Sequence, residues 1–307
     1  MAESTPAAPV AILLSTFNGA AFLPDQLASL RAQAGAGWRL FWRDDGSDDA
    51  SVALLQAFMA EHAGCEQVTG FGHLGVTESY MVLLRHAVAR GAGVVAFADQ
   101  DDVWLPDKLA AGLSCLGHDP APVLYCSRQI LVGESLSPLS LSEPVHVPPG
   151  FGPALTQNIA TGCTVMLNPP AAALVAGSTP PPSSLHDWWS YLVVTGHGGR
   201  IIADARALVK YRQHGRNAVG APRSKRQRAM AALRRGPGAF MKVLRAHVAA
   251  LQQQPHLLSP AGSVMIGEVS AALAAGPLAR LRVIRRFPLL RQTRAETLLF
   301  RCWFLLG

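Results

Sequence analysis

Along the first hundred positions the apolar residues fall into two alternating rhythms, short continuous runs and longer stretches with a helical period. Val10 to Leu14 (VAILL) reads as a buried strand. A helix follows, with Pro24 near its first turn and Leu23, Leu27 and Leu30 on one face. Trp38 to Trp42 (WRLFW) predicts a second strand, SVALLQAFMAEH a second helix and EQVTGF a third strand. ESYMVLLRHAVARG is then a helix stopped at Gly91, and GVVAFA a fourth strand. Strands and helices of these lengths in alternation predict an α/β fold with a mostly parallel, doubly wound sheet. From Gly133 to Pro153 the chain is rich in Ser, Pro and Gly and is expected to loop across the surface. Further on, TGCTVMLN is a strand candidate, LHDWWSYLVV a helix, and GGRIIADARALVKYRQHG two short strands. Beyond about Gly220 the pattern is helical, with interruptions expected at the Gly-Pro pairs starting at Gly236 and Gly276.

Doubly wound sheets bind ligands at the carboxyl ends of their strands, and the unusual polar residues of this chain fall at those ends. Ser15-Thr16-Phe17-Asn18-Gly19 follows the first strand, Asp44-Asp45-Gly46-Ser47 the second, and Asp99, Asp101 and Asp102 the fourth. Three carboxylates within four positions repel one another unless a cation lies among them. A divalent ion resolves the repulsion, and Mg²⁺ or Mn²⁺ prefers such oxygen ligands. Two local readings compete. The aspartates would cap the helix starting near Pro106, and Ser47 or Asp48 would cap the helix after the second strand. Ser15 to Asn18 would line a pocket through backbone groups or simply turn the chain.

The motifs STFNG, RDDGSDD, FADQDDVWLPDKL, TGCTVMLN, HDWW and YRQHG, in this order, resemble bacterial glycosyltransferase family 2, particularly its rhamnosyltransferase-like members. The resemblance spans roughly Val10 to Gly220. It implies a GT-A fold for residues 1–220, with a nucleotide-sugar half at about 1–132 and an acceptor half at about 133–220. A basic helical region, 221–307, follows. It also implies a nucleotide-diphosphate sugar donor, with rhamnose on thymidine diphosphate as the specific candidate, and inversion at the sugar carbon. By the same resemblance, Asp101 holds the metal and Asp102 supports it. Asp99 contacts the ribose or a metal-bound water, Asp45 the pyrimidine base, and His214 the metal or diphosphate. Asp187 in HDWW matches the base that activates the acceptor hydroxyl. Its competing assignment is a helix N-cap, and His186 is expected to be a partly exposed neighbour. Arg212 suits a phosphate partner. Of the adjacent Trp188 and Trp189, one is expected in the core and the other is free to face a sugar.

Charge changes the picture of the second half. Up to Gly199 there are 7 Lys and Arg against 17 Asp and Glu, and from Arg200 onward 20 against 3. Basic residues interleaved with Leu, Ile, Phe and Trp303 suit a helix lying on anionic lipid, close to a saccharide or lipid-linked saccharide acceptor. The plainer expectation is a solvated face on helices packed against the catalytic domain. Nucleic-acid binding is disfavoured because the tail lacks a groove-reading motif. The five scattered cysteines form no Cys-x-x-Cys, and no Lys or Arg precedes the first apolar run as in a signal peptide. A cytoplasmic enzyme, peripheral at most to the membrane, is the expectation. A nucleotidyltransferase would show a basic phosphate loop where STFNG has none. A non-catalytic, sugar-nucleotide-binding scaffold for a membrane assembly is the alternative outside enzymes.

Overall fold

A computed structural model describes residues 9–182, 184–215 and 225–307, with side chains from 237 onward in the last stretch. Strands β1 (Val10–Thr16), β2 (Trp38–Asp44), β3 (Cys65–Gln67) and β4 (Val95–Ala98) alternate with helices α1 (Leu23–Arg31), α2 (Ser51–Glu61) and α3 (Val76–Ala89). Then come β5 (Val103–Trp104), α4 (Lys108–Leu116), β6 (Val123–Val132), β7 (Pro138–Leu141), α5 (Phe151–Thr156), β8 (Met166–Leu167), α6 (Pro169–Ala176), α7 (His186–Gly196) and β9 (Arg200–Arg212). Helices α8 (Lys225–Gln252), α9 (Pro260–Ala275), α10 (Pro277–Arg286) and α11 (Arg294–Leu306) complete the chain. Among the described residues the strands form one sheet in the order β3-β2-β1-β4-β8-β6-β9-β5, with β7 beside β6. β1 pairs in parallel with both β2 and β4. The short β8 runs antiparallel between β4 and β6, which returns β6 to the direction of β4.

The apolar rhythm explains this architecture. Every residue of VAILL is buried because helices cover both faces of β1. Leu23, Leu27 and Leu30 of α1 are likewise enclosed, each worth about 1.5–3 kcal/mol relative to an exposed position. Gly91 has φ +72°, the left-handed geometry that ends α3 at little cost to glycine. The C-terminal helices share one core with the sheet: Met241, Leu244, Val248, Phe300 and Phe304 belong to the same buried cluster as Leu13, Phe97 and Trp189.

Several local expectations change for tertiary reasons. The third strand ends at Gln67 because the following residues fold around a buried carboxylate. The Gly133–Pro153 segment contains β7, hydrogen-bonded to the far half of β6. TGCTVMLN is mainly a 3-10 turn, Gly162–Thr164, before the two-residue β8. The two short strands expected around Ala203 are one 13-residue strand, β9, whose register against β6 shifts between Ser127 and Gln129. Pro237 lies inside α8 rather than ending it, whereas Gly276, at φ +102°, does separate α9 from α10. The expected boundary at 220/221 lies outside the described residues.

Candidate active site

The loop after β1 is locked by the acidic turn after β4. Thr16, fully buried, donates from Oγ1 to Gln100 Oε1 at 2.7 Å, and the Phe17 amide donates to the same oxygen at 2.9 Å. Gln100 Nε2 returns a bond to the Phe17 carbonyl at 3.1 Å. Asn18 sits at φ +48°, a conformation Asn tolerates better than most residues. Its side chain accepts from the Asp48 amide, and its own amide donates to Ser47 Oγ. Ser15 lies in register with Arg43 on β2. STFNG is thus a shaped ledge at the carboxyl edge of the sheet. Gln100 was missed in the sequence because its amide matters only through contacts some 80 positions away.

Asp45 is held by its own neighbours. It is 4% exposed, and three protein donors reach its carboxylate. Arg43 and the Leu74 amide reach Oδ1 at 2.6 and 2.7 Å. The Gly75 amide reaches Oδ2 at 2.8 Å, while His73 Nδ1 pairs with the Asp45 backbone oxygen at 2.8 Å and lies 3.1 Å from Oδ2. These partners hold the carboxyl below its usual range despite burial. Asp45 therefore organises the 71–75 loop, with Oδ1 used twice and Oδ2 once in doing so. Neither Ser47 nor Asp48 caps α2. Ser47 Oγ binds Asp44 and accepts from Asn18, while Asp49 accepts the Ser51 amide.

The three aspartates of the acidic turn separate by environment. Asp101 Oδ2 lies 2.7 Å from His214 Nε2, both side chains being largely enclosed, and His214 stacks on Phe22 at 4.5 Å. Asp99 Oδ1 accepts from the Tyr80 hydroxyl at 2.9 Å. Burial, and then the charge of Asp101, pushes Asp99 up to about 7, with Asp187 adding in the same direction. Asp102 has no exposure. Its Oδ1 accepts the Arg212 amide at 3.0 Å, and burial raises its pKa well above the carboxylate range. Asp99, Asp102 and Cys163 bring potential ligand atoms within 4.8 Å of one another. Burial also holds the Cys163 thiol well above its ordinary value, which makes it a poor partner for a hard cation. Asp102 is braced by β9 through Oδ1, while its buried Oδ2 has no hydrogen-bond partner among the described residues. None of the three caps α4, whose N-cap is Asp107.

Arg212 is likewise corrected. It is 3% exposed and donates to the Asp101 carbonyl, the Glu134 carbonyl and Asp25, with its guanidinium 4.8 Å over the Phe22 ring. It ties β9 to the acidic turn instead of facing a phosphate. Lys108 is buried against Trp104, its Nζ 3.5 Å from the ring centroid, and burial lowers its pKa to about 7.

Across from the turn stands α7. Leu185, not Asp187, occupies its N-cap position. Asp187 is 7% exposed, its Oδ2 accepting the Gly162 amide at 2.9 Å and its Oδ1 the Trp188 amide at 2.5 Å. Burial outweighs these bonds and raises its pKa to about 6. Gly162 is needed there, since a Cβ would come within 2.8 Å of His186 Nε2. His186 is not the exposed neighbour expected. It is buried, stacked 3.9 Å from the Tyr80 ring, and held neutral with a pKa of about 3. Tyr80 so joins Asp99 to the helix that carries Asp187. Trp189 is the core residue of its pair. Trp188 donates to the Ala154 carbonyl and meets His247 of α8 edge-on, so the C-terminal helices buttress α7.

The family model described as glycosyl transferase family 2 matches residues 11–166, a little over half the chain. The chain belongs to glycosyl transferase family 2. This glycosyltransferase is 24% identical over 226 residues to the "dTDP-rhamnosyl transferase RfbG" of Shigella flexneri, covering 68% of this chain and 74% of that one. Its GT-A fold is similar to that of S. aureus TarS 1-349, solved in complex with UDP-GlcNAc. There the TM-score is 0.59 at 13% identity, over 86% of this chain and 71% of that one. It is also similar to the mannosyltransferase PcManGT from Pyrobaculum calidifontis, solved with GDP-Man and Mn²⁺. That match has a TM-score of 0.51 at 16% identity, over 98% and 87% of the two chains.

The Gln100 lock in this glycosyltransferase gives a direct test. A Cβ at Gly19 would lie 2.1 Å from Gln100 Oε1, so Gly19→Ala displaces the amide and loses its bonds to Thr16 and Phe17. The expected loss is about 1–3 kcal/mol of stability, read as a lower denaturant midpoint with an unchanged slope.

Proposed function

We propose that the enzyme transfers a sugar, with inversion, from a nucleotide-diphosphate donor to a hydroxyl of a saccharide acceptor. The observation that carries this reading is the convergence of the Asp101–His214 pair and Asp187 on Asp99 at the carboxyl end of β4. The Ser15–Asn18 ledge and the exposed ring of Phe17, 5.3 Å from His73, offer backbone groups and aromatic faces to the nucleoside. Asp99 is suited to the ribose. Asp187 accepts the acceptor proton as its oxygen attacks, which needs a carboxylate that is ionised yet basic.

The clustered oxygens of Asp99 and Asp101, with the imidazole of His214, fit a divalent ion. Like charges forced together at Asp99 are what such an ion relieves. Asp101 and His214 would hold it, with Asp99 beside them. A bound Mg²⁺ or Mn²⁺ supplies neutralisation of the charge that grows on the departing nucleoside diphosphate. Rhamnose on thymidine diphosphate is the donor favoured by the likeness to the Shigella flexneri enzyme. A thermal-shift panel of dTDP-, UDP- and GDP-sugars, with and without each ion, tests base, sugar and metal together. Ion-dependent stabilisation by one donor, lost in Asp101→Asn, is the expected result. No shift with any donor would defeat the reading.

The acceptor is proposed to be presented at an anionic membrane. No described helix is long and apolar enough to cross one. Instead, Leu278 of α10 and Leu298 and Leu306 of α11 are 77%, 65% and 85% exposed, and α10 also exposes Arg282 and Arg285. Binding to vesicles containing anionic lipid should weaken in Arg282→Gln/Arg285→Gln by about 1 kcal/mol per charge, and fade with salt.

A further inference from the structure

Away from the donor ledge, a cavity of about 820 Å³ opens between β6, the 142–146 loop, residues 157–161 and α11. Its walls are fastened to one another. Gln292 Oε1 accepts the His146 amide at 2.7 Å, Gln157 Oε1 accepts the Gln292 amide at 2.9 Å, and Arg291 donates to the Thr156 carbonyl at 2.5 Å. The Thr293–Glu296 capping box fixes the start of α11 beside them. Within this wall Gln129 is 6% exposed, and its Nε2 is a buried donor with no partner among the described residues. A buried amide left unbonded costs about 1–3 kcal/mol, and a turn of the Gln129 side chain into the cavity would let a ligand oxygen remove that penalty.

The cavity lies at the functional edge of the sheet. Val95 and Ala96 pair with Leu167 and Met166, which pair with Leu124 and Tyr125. That register sets Leu124 and Tyr125 of β6 level with Val95 and Ala96 of β4, and both strands run on toward the acidic turn and the cavity. Asn158 and Thr161, which border the cavity, flank the turn whose Gly162 amide holds Asp187. The ionisable lining is close to balanced, Arg128, Arg291 and the imidazole of His146 against Glu143, Asp204 and Glu296, with Asp204 already engaged by Tyr125 and Arg206. Trp303 of α11 adds a half-buried aromatic face.

Resting on the glycosyltransferase reading above, we infer that this cavity binds a neutral pyranose of the acceptor glycan, with Gln129 donating to a ring or hydroxyl oxygen and Trp303 stacking on the apolar face. The C-terminal helix α11 thereby becomes part of acceptor recognition, and the adjoining sugar presents its hydroxyl to Asp187. A phosphate would find no net positive lining here.

The test is saturation-transfer NMR on the full chain with methyl glycosides of neutral hexoses, and in parallel with vesicles carrying a neutral glycolipid or none. Saturation of the soluble glycosides assigns the site to a free glycan. Saturation confined to glycolipid vesicles assigns it to a lipid-borne headgroup, and none in either arm overturns the inference. Gln129→Met should weaken binding about tenfold. Ala295→Trp, at an exposed rim position, should abolish it by filling the mouth. Nucleotide-sugar thermal shifts are expected to persist in both, which shows that they fold. Unaltered glycoside binding in Ala295→Trp also overturns the inference. A wild-type protein that binds glycosides but shifts with no nucleotide sugar would count against the donor assignment instead.

Discussion

Asp187→Asn is expected to lower the transfer rate by about 10²–10⁴-fold while leaving the donor-dependent thermal shift in place, because an amide cannot take the acceptor proton. Single-turnover assays at saturating donor separate the two effects. Wild-type turnover should rise with pH through about 6, where Asp187 ionises, and then level. The stability effect has the opposite sign. The folded-state pKa of Asp187 lies above the ordinary 3.8, so its contribution to stability is fully present below that value. It is lost as pH rises through about 6. At neutral pH the ionised carboxylate costs up to about 3 kcal/mol, a figure already net of the Gly162 and Trp188 amide bonds. The Asn variant escapes that charge cost but turns its NH₂ toward one of the two amide donors, so its melting temperature relative to wild type should fall as pH is lowered from 7 to 4. A variant with full turnover would remove Asp187 from the proposed chemistry.

Asp45→Ala is the second large effect, and it acts through the fold. Arg43 is 1% exposed, and removal of its carboxylate leaves a buried charge, with the Leu74 and Gly75 amides also unpaired. Breaking a buried pair in this way costs about 3–5 kcal/mol, which lowers the melting temperature on the order of 10 °C. Nucleotide binding should weaken as well, since the 71–75 loop brings His73 beside Phe17. Adding Arg43→Met should restore part of the stability, because the stranded charge is then gone. Calorimetry of the two single variants and the double variant measures that coupling. Strict additivity would show that the pair is not a unit.

The same two residues show how far the amino-acid order could be followed. HDWW pointed to Asp187 by its place among ordered motifs, and the fold seats that carboxylate against the Gly162 amide. Asp45 gave no sign of its Arg43, Leu74 and Gly75 partners, because a carboxylate at a strand end looks identical in sequence whether it faces a ligand or the protein interior. Arg212 and His186 failed for the same reason: an exposed-looking charge or imidazole was enclosed by partners more than 100 positions away, Asp25 for the first and Tyr80 for the second. Gln100 and Tyr80 gave no signal, since neither residue type marks chemistry without its contacts.

The order of amino acids by itself determined the alternation of strands and helices and the placing of STFNG, RDDGSDD and DQDD at strand ends, because apolar period and turn composition are local properties. It also determined the basic character of the C-terminal helices. Only the tertiary structure decided which carboxylates remain open. Asp101 meets His214, Asp102 is sealed beneath Arg212, and Asp45 is ringed by donors. Availability depends on burial and on hydrogen-bond partners, and both are set by chain segments that the sheet brings together from far apart.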